Sequence, residues 1–365
     1  MRVKLEDVCE RGSSNLKQSD VIDKTGDYPI YGAAGYIGNI DFYHQDKPYV
    51  AVVKDGAGIG RTALLPAKSS VIGTMQYLLP KGNVLPEYLS YVVQYMHLEK
   101  YFSGATIPHI YFRDYKNEEF NLDPIDKQKE IVDILGKVQT IIGARQQQLQ
   151  KLDELIKARF VEMFGDVRTG VYKFETYKLG DVAEVGSSHR VFTTEFVEDG
   201  IPFYRGTEIG ELANGIKPEN PYRITKEHYN RLACDETKPK IGDLLMPSVC
   251  NKGQVWMVDT EEPFYYKDGR VLCISPNSEL FNCKYLEQFM REKTLVEYPK
   301  LGSGSTFAEF KIFLLKDIDV LVPPMELQES FAEFCKQLDK SKVAVQKALD
   351  EAQILFDSLM QKYFG

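Results

Sequence analysis

The sequence contains no long uninterrupted apolar run. Its first residues, Met1–Glu6, do not form the apolar stretch of a signal peptide, and no later segment approaches the roughly 18 apolar residues that a membrane-spanning helix needs. We therefore expect a cytoplasmic protein. The length of 365 residues and the hydrophobic share of 43% are typical of a globular chain with two or more domains.

Metal-binding and disulfide patterns are also missing. None of the six cysteines forms a Cys-x-x-Cys pair, and the five histidines have no metal-ligand spacing. We therefore expect reduced, mostly structural thiols and no bound metal. An excess of positive charge is absent too, since the formal net charge is -8. This counts mildly against nucleic-acid binding but does not exclude it, because binding depends on where the basic residues cluster.

What the chain does contain is a long helical pattern that occurs twice. Segments 124–165 and 324–365 each begin at a proline, which suits the first turn of a helix, and end in Phe-Gly, which suits its end. Steps of four and three residues trace an apolar coiled-coil seam in each segment, and the same steps also reach Arg159, Met163 and Tyr363. The seam comprises Ile131, Leu135, Val138, Ile142, Leu149, Leu152 and Ile156, and then Phe331, Leu338, Val345, Leu349, Phe356 and Leu359.

The repeat extends to the regions before these helices. Residues 4–14 match residues 178–188, and the pattern Ser-Gly-x-Thr occurs at 103–106 and again at 303–306. Short β-like runs separated by Gly, Pro and Asp turns, followed by one helix-like run, fill each region. The spacing from the Ser-Gly-x-Thr turn through the helix is fixed while the earlier loops vary. We infer that a whole α+β domain is duplicated.

The two helices are expected to pair, because a seam one stripe wide cannot be buried by a single helix. Each would be about 60 Å long. Antiparallel pairing would place the two globular regions at opposite ends of a rod, and parallel pairing would place them side by side. The charged residues at seam positions, Arg145, Arg159 and Lys342, either fix the register or extend their charged ends to the rim of the seam.

This order of motifs resembles the specificity subunits of type I restriction-modification systems. The resemblance covers essentially the whole chain, including the Lys-Leu-x-Asp-Val openings and the helix start Pro323–Gln328, which reads Pro-Pro-Met-Glu-Leu-Gln. It implies an α+β fold class: two tandem target recognition domains, each followed by a long helix, with the two helices paired as an antiparallel coiled coil. The corresponding boundaries are 1–123 and 166–323 for the recognition domains and 124–165 and 324–365 for the spacer helices.

The resemblance also implies a DNA-binding subunit without catalytic activity. Each domain would read one part of a split double-stranded DNA target, and the helices would act as a ruler; the unequal loops of the two halves predict an asymmetric target. Methylation and cleavage would reside in partners, two methyltransferase subunits and, through the complex, restriction subunits. S-adenosylmethionine, ATP and Mg²⁺ would bind to those partners and not to this chain.

No catalytic residue is proposed. Asp55–Gly60 contains the glycines of a cofactor loop, but the strand-like Arg61–Pro66 follows in place of the helix that such a loop requires, so a tight β-turn is predicted. Asn220–Tyr222 lacks the second proline of an adenine methyltransferase motif and any upstream cofactor loop. We interpret it as a loop.

Residues suited to DNA reading follow equivalent turns in both halves. Arg and Lys suit guanine, Asn and Gln suit adenine, and loops on a rigid β frame can present them. In the first half the candidates are Lys17, Lys54, Arg61, Thr74, Gln76, His109, Tyr111 and Arg113. In the second half they are His189, Arg190, Arg205, Lys252, Gln254, Lys267, Arg270, Thr306 and Lys311. For any single residue, an ordinary surface charge or a hydrogen-bonded strand residue is an equally good interpretation, so the clusters matter more than their members.

The sequence leaves two other functions open. A protein adaptor, with two binding domains on a coiled-coil spacer, would explain the acidic balance and predicts no DNA affinity. A two-domain enzyme would require a bound cofactor or intrinsic turnover. For partner contact we favour the outer helix faces, including Lys151, Glu154 and Lys347, although such residues are more often solvated flanks of a coiled coil.

Overall fold

The chain divides into two compact units. The computed structural model describes residues 1–21, 24–104, 108–234, 237–302 and 308–365. Unit 1 comprises Met1–Gln148 with Val345–Gly365, and unit 2 comprises Leu149–Ala344. Each unit therefore holds one globular region and part of each long helix. The candidate Thr306 lies outside the described residues.

Unit 1 is built from short strands and helices. Its strands are β1 (Arg2–Lys4), β2 (Cys9–Ser13), β3 (Tyr28–Gly32), β4 (Gly35–Ile40), β5 (Tyr49–Val53), β6 (Thr62–Leu65), β7 (Ser70–Val71), β8 (Met75–Pro80) and β9 (Glu119–Asn121). Its helices are α1 (Leu5–Val8), α2 (Pro86–Tyr95), α3 (Phe112–Tyr115) and the first part of α4 (Ile125–Phe164), with 3-10 turns at Gln18–Asp20 and Leu98–Tyr101. β5 is buried along its whole length and rich in valine, which suits a central strand.

An antiparallel four-stranded sheet in the order β2-β8-β5-β6 forms the centre of unit 1. A second sheet has the order β4-β3-β7, with β3 and β7 parallel, and β1 pairs with β9. α2 packs on the central sheet, where Tyr88 and Leu89 share a buried core with Val50 and Leu78. The β-like runs of the sequence predicted strands at residues 48–53, 62–65 and 71–79, which correspond to β5, β6 and the end of β7 with β8, whereas β2 was not predicted.

Unit 2 contains the remaining elements. Its strands are β10 (Gly165–Asp166), β11 (Val171–Tyr172), β12 (Thr176–Lys178), β13 (Ala183–Gly186), β14 (Ile201–Tyr204), β15 (Tyr222–Ile224), β16 (Leu244–Pro247), β17 (Trp256–Met257), β18 (Tyr265–Tyr266), β19 (Val271–Pro276) and β20 (Asp319–Leu321). Its helices are α5 (Leu179–Val182), α6 (Gly206–Ala213), α7 (Lys226–Leu232), α8 (Cys283–Glu297), α9 (Ile312–Lys316) and the first part of α10 (Met325–Phe364), with 3-10 turns at Thr193–Glu195 and Tyr298–Leu301.

The sheets of unit 2 repeat those of unit 1. The four-stranded sheet has the order β13-β19-β16-β17, the three-stranded sheet has the order β15-β14-β18 with β14 and β18 parallel, and β12 pairs with β20. Strand for strand, these orders match β2-β8-β5-β6, β4-β3-β7 and β1-β9. The domain duplication is therefore confirmed. α6 and α7 have no counterpart in the described part of unit 1, and they supply much of the longer connections of the second half.

The long helices are antiparallel. In unit 1 the beginning of α4 packs with the end of α10, since Ile131 and Leu135 share a buried cluster with Phe356 and Met360. In unit 2 the end of α4 packs with the beginning of α10, where the ring centroids of Phe160 and Phe331 lie 5.4 Å apart. The antiparallel prediction is confirmed. No helix in the described part of the chain combines the length and the apolar character that crossing a membrane requires.

None of the predicted seam residues is exposed. Ile131, Leu135, Val138, Ile156, Phe331, Val345 and Phe356 are buried, and Ile142, Leu149, Leu152, Leu338, Leu349 and Leu359 are half-buried. The heptad steps fail only near the helix ends, where Phe164 and Phe364 are buried in place of Met163 and Tyr363.

The shift at the helix ends has a physical cause. Tyr285 of the globular region contacts Phe164 with ring centroids 4.8 Å apart, and Tyr88 contacts Phe364 at 5.3 Å. Each helix end thus packs against a domain as well as against the other helix. A helix that is buried on two sides needs a wider apolar face than the seam of a coiled coil provides.

The three charged seam residues make different contacts. Lys342 Nζ lies 2.5 Å from Asp153 Oδ1, so this lysine joins α10 to α4. The Arg159 guanidinium lies 5.9 Å from the ring centre of Phe334, also across the helix pair. Arg145 donates only within its own helix among its described hydrogen bonds. Lys342 and Arg159 therefore favour the antiparallel register.

A buried glutamine fixes the start of α4. Gln128 is 0% exposed. Its Oε1 accepts from Leu85 N at 2.9 Å, and its Nε2 donates to the carbonyls of Asn83 at 3.0 Å and Asp123 at 2.9 Å. One side chain thus ties the first turn of α4 to the segment that leads into α2.

Gln328 fixes the start of α10 in unit 2 in the same way. It is also 0% exposed, and its Oε1 accepts from Asn282 N at 2.9 Å. Its Nε2 donates to the carbonyls of Leu280 and Pro323 at 2.9 and 2.7 Å. The glutamine of the helix-start motif is therefore a structural connector, a role that the sequence alone did not reveal.

Candidate nucleic-acid interface

The glycine-rich segment Asp55–Gly60 forms a turn between β5 and β6. Gly60 N donates to Val53 O at 2.9 Å, which closes the turn. Gly60 has a φ of +82°, and a Cβ there would lie 2.6 Å from Glu99 N, so the position requires glycine. The strand β6 follows directly, in place of the helix that a phosphate-binding loop needs. The predicted β-turn is present.

The loop that contains His109, which we call the returning loop, packs against this turn. It places two candidates, Lys54 and His109, beside the carboxylate of Asp55. Ile110 N donates to Lys54 O at 3.0 Å, which places His109 beside Asp55. His109 Nδ1 lies 2.7 Å from Asp55 Oδ1, and Lys54 Nζ donates to Oδ2 at 2.9 Å. Partial burial raises the pKa of Asp55, but these two hydrogen bonds outweigh it, and the net pKa lies below its ordinary value.

Two more candidates stack on this group. The rings of His109 and Tyr111 are stacked, with centroids 6.3 Å apart and an interplanar angle of 24°. The Arg113 guanidinium lies 4.7 Å from the ring centre of Tyr111. We call Lys54, Asp55, His109, Tyr111 and Arg113 the first rim. It combines cationic and aromatic side chains, which can contact phosphates and base edges, with one carboxylate.

Other candidates of unit 1 lie beside the first rim or support it. Lys17 and Arg61 are exposed. Thr74 supports the rim through its backbone, since its carbonyl accepts from Lys54 N at 3.0 Å. The Thr74 hydroxyl is buried and meets no hydrogen-bond partner among the described residues. A side-chain contact between Thr74 and DNA would therefore require this region to open.

Gln76 is a core residue. It is only 2% exposed, and its Nε2 donates to the hydroxyl of the buried Tyr115. An amide held inside the sheet cannot reach a base edge. The structure therefore contradicts the assignment of Gln76 as a base reader, and we withdraw it from the candidates.

Unit 2 repeats the backbone frame of the first rim. Ser248 N donates to Arg270 O at 2.9 Å, and Phe310 N donates to Ser248 O at 2.7 Å. In unit 1 the corresponding bonds run from Lys54 N to Thr74 O and from Ile110 N to Lys54 O. Ser248 therefore occupies the structural position of Lys54, and Arg270 occupies that of Thr74.

The side chains on this second frame are different. Glu309 and Lys311 stand where unit 1 has His109 and Tyr111. Arg270 Nη1 lies 2.7 Å from Glu309 Oε2, and Lys311 Nζ is paired with Oε1 of the same carboxylate. The hydrogen bond from Lys311 is the main reason that the pKa of Glu309 lies below its ordinary value. We call Arg270, Glu309 and Lys311 the second rim.

The remaining candidates of unit 2 lie on other loops. His189 and Arg190 are exposed, and the Arg190 guanidinium lies 5.1 Å from an aromatic ring two residues further on. Lys252 is exposed at a turn, where its N donates to Gln254 Oε1 at 3.0 Å. Lys267 is half-buried. The Gln254 amide oxygen is thus already used by the turn, which weakens it as a base reader.

Arg205 is held by a buried acid. Its Nη2 lies 2.6 Å from Glu208 Oε1, and its guanidinium lies 4.5 Å from the ring centre of Tyr222. Burial raises the pKa of Glu208, but the hydrogen bonds from Arg205 hold the net pKa below its ordinary value. Tyr222 begins β15 and stacks on Phe196 at 4.6 Å, so the predicted Asn-Pro-Tyr loop ends in a strand. Arg205 is therefore a poorer phosphate ligand than the rim cations.

Two functional candidates were missed in the sequence. Asp55 and Glu309 each lie between two basic side chains, but a search for DNA-binding residues considers basic and polar residues and not acids. The spacing of Lys54 beside Asp55 and of Glu309 near Lys311 is present in the sequence, but only the fold brings His109 and Arg270 to them. Among the described residues, no group of three or more His, Cys, Asp or Glu is placed to hold a metal ion.

A duplicated α+β domain, an antiparallel helix pair and a basic rim on the same frame in each copy define a protein with two recognition domains. The chain matches the type I restriction modification DNA specificity domain over residues 1–154 and 172–353, and it belongs to this family. It is a type I restriction-modification specificity subunit.

Similar proteins agree with this assignment. The type I restriction enzyme MjaVIII specificity subunit of Methanocaldococcus jannaschii is 23% identical over 331 residues, which cover 82% of this chain and 76% of the relative. The putative MjaX specificity subunit of the same organism is 24% identical over 349 residues, covering 86% and 76%.

Solved structures show the same fold. The crystal structure of the type I restriction-modification S subunit from M. genitalium superposes with a TM-score of 0.59 at 15% identity, covering all of this chain and 96% of the other. A structure described as the basis of complex assembly and conformational transition of the type I R-M system gives 0.55 at 13% identity, covering 100% and 97%.

Proposed function

We propose that each unit reads one part of a split, asymmetric double-stranded DNA target through its rim, as part of a type I restriction-modification complex in the cytoplasm. The observation that carries this proposal is the duplicated frame. In both units, two backbone hydrogen bonds hold the residue after the central strand, and basic side chains lie on or next to the residues that these bonds join. A fixed frame with variable side chains suits a sequence reader, because position and specificity are then set separately.

The different chemistry of the rims supports an asymmetric target. The first rim offers a lysine, a histidine, a tyrosine and an arginine, whereas the second offers an arginine and a lysine around a glutamate. Arg and Lys suit guanine O6 and N7. Two unlike sets of donors and acceptors would select unlike half-sites.

A half-site experiment tests the assignment of the rims. The double variants Lys54→Ala/Arg61→Ala and Lys252→Ala/Arg270→Ala are compared on duplexes altered in one half-site at a time. Each double variant is expected to lose affinity and to become insensitive to changes in only one half-site. The double variant Lys129→Ala/Lys137→Ala, which removes two exposed lysines of α4, serves as the charge-matched control. If neither double variant changes affinity or half-site preference beyond the control, the rims are not the readers.

We also propose that α4 and α10 set the spacing between the half-sites. Each helix contributes residues to both units. Four residues inserted after Gln148 in α4 and after Ala344 in α10 would leave the contacts inside each unit intact and lengthen each helix by about 6 Å, close to two base-pair steps of about 3.4 Å. The preferred spacer should change while the half-sites stay the same.

A seven-residue insertion at the same two places provides the comparison. It keeps the seam nearly in phase, whereas four residues rotate the helix by about 40° beyond a full turn. Selection of binding sites from a random duplex pool would measure the spacer in each case. An unchanged spacer in both insertion variants would show that the helices only link the units.

The proposal assigns methylation and cleavage to partners: methyltransferase subunits, two in number, and restriction subunits that join through the complex. S-adenosylmethionine, ATP and Mg²⁺ would be bound there. The turn at Asp55–Gly60 supports this division, since it leads into a strand and cannot present a helix N-terminus to a cofactor. The exposed outer helix residues Lys151, Glu154 and Lys347 are candidates for the partner contact.

Footprinting separates this function from a protein adaptor. The chain, co-purified with its methyltransferase subunits, is incubated with random-sequence duplexes and the protected sequences are read. A protected site in two parts with a fixed spacer is the expected result. The absence of any protection by the intact complex would favour the adaptor and refute the reader.

A further inference from the structure

A single carboxylate lies between two basic side chains in each rim. Asp55 accepts from Lys54 and lies 2.7 Å from His109 in unit 1. In unit 2, Glu309 is paired with Arg270 and Lys311. Both acids keep a pKa below the ordinary value, so both are ionised at neutral pH.

The sequence repeat does not explain this likeness. In unit 1 the acid belongs to the turn after the central strand, and in unit 2 it belongs to the returning loop. Glu309 stands at the structural position of His109, whereas Asp55 follows the position that Ser248 holds in unit 2, so the two acids come from different segments of the same frame. The two rims therefore build one arrangement, a carboxylate that joins two basic side chains, from acids at different positions of the frame.

These ion pairs contribute little to the stability of the fold. The four basic side chains are between 31% and 62% exposed. Ion pairs of this kind contribute little to folding, because water screens them and ordering long side chains costs entropy. A carboxylate on a DNA-binding surface also repels phosphate. The effect of these acids should therefore be sought in binding.

We propose that Asp55 and Glu309 are positioning residues for sequence discrimination. Each holds two basic side chains of its rim in fixed places and cancels part of their charge. The rim then binds phosphates weakly by itself and gains affinity only where base edges complement the fixed donors. This inference rests on the proposed role of the rims as DNA readers.

The carboxylates should affect non-specific binding and discrimination in different ways. Non-specific binding depends on the number of phosphates that cations neutralise, so a cation that is already paired contributes less to it. Discrimination depends on donors that cannot adapt to the wrong base, and a side chain held by a carboxylate has less freedom than a free one. Loss of the acid should thus strengthen general binding and weaken specificity together.

Binding measurements on Asp55→Asn and Glu309→Gln test the proposal. The full chain with its methyltransferase subunits is first used to select a target from random duplexes. Affinity is then measured for that target and for a duplex of equal length and composition with a scrambled site, over a range of salt concentrations. Asp133→Asn on α4 and Glu333→Gln on α10, which remove an exposed acid from a helical ion pair, are the matched controls.

Each rim variant should bind the scrambled duplex about threefold more tightly, the effect of losing one charge about 7 Å from a phosphate in water. The slope of log affinity against log salt should become steeper by about one, because one more cation reaches a phosphate. The ratio of specific to scrambled affinity should fall. Asp55→Glu and Glu309→Asp keep the charge, so they should keep the wild-type salt slope. A merely structural role would not move that slope.

The outcomes distinguish this inference from the proposed function. If the wild-type complex selects a target but both rim variants match their controls in scrambled affinity, salt slope and specificity ratio, the inference is overturned and the reader function stands. If the wild-type complex selects no target, the reader function itself fails.

Discussion

The two buried glutamines lead to the sharpest prediction about the fold. Gln128→Met keeps the length of the side chain and removes its three hydrogen bonds to Leu85, Asn83 and Asp123. Each bond contributes about 1 kcal/mol net, and buried backbone groups left without a partner cost more. Methionine recovers part of this by burying apolar surface. The expected loss is therefore about 3 kcal/mol from unit 1.

A loss of this size is easy to measure. For a unit of this length, 1 kcal/mol corresponds to a shift of about 2–4 °C in Tm, so the expected decrease is about 6–12 °C. Calorimetry would record it, and hydrogen exchange would localise it, since the Leu85 amide loses its acceptor. Gln128→Glu should cost still more at neutral pH, because a buried carboxylate cannot donate to the two carbonyls.

Gln147→Met, at an exposed position of the same helix, is the control and should cost under about 0.5 kcal/mol. Gln328→Met should reproduce the effect at the Asn282 amide in unit 2 while leaving the Leu85 amide protected. If Gln128→Met lowers Tm no more than Gln147→Met and leaves Leu85 exchange unchanged, the glutamine does not fix the start of α4.

Two further predictions concern the helix pair and the effect of pH. Leu135→Ala, at a 0% exposed seam position, should destabilise by about 2–5 kcal/mol in thermal unfolding, whereas Asp153→Ala, which removes an ion pair at a 60% exposed side chain, should cost under about 1 kcal/mol. Glu287 is buried, which raises its pKa, but Arg291 and Lys284 hold the net pKa below its ordinary value. Wild type should therefore be more stable than Glu287→Gln above the ordinary pKa of 4.5, and in urea unfolding the difference should vanish as the pH falls through the lowered pKa of the folded state.

The long helices could be predicted because their signal is local and repeated. Proline at the start, Phe-Gly at the end and an apolar seam between them determine α4 and α10 almost to the residue. The burial of Phe164 and Phe364 could not be predicted in the same way. It depends on Tyr285 and Tyr88, which come from distant parts of the chain and widen the buried face beyond a heptad seam.

The candidate site was predictable as clusters but not as contacts. Turn positions indicated Lys54, His109 and Arg270 as candidates, and the structure places all three at the repeated backbone frame. Alternation along a strand could not show that Gln76 faces the buried Tyr115, because a polar residue on the inner face of β8 looks like one on the outer face. Which acid meets which base is likewise decided by tertiary contacts, between residues 54 positions apart in unit 1 and 39 positions apart in unit 2.

If the rims read DNA as proposed, the different placement of acid and base in the two rims would let one fold serve two half-sites. The frame is held by backbone hydrogen bonds, such as Phe310 N to Ser248 O and its counterpart Ile110 N to Lys54 O, which do not depend on side-chain identity. Rim side chains are partly exposed and contribute little to folding, so they can be replaced at small cost in stability. Specificity can then change by substitution within a rim, provided that a carboxylate still balances the cations. A rim with its cations but without its acid would keep the fold and bind DNA without discrimination.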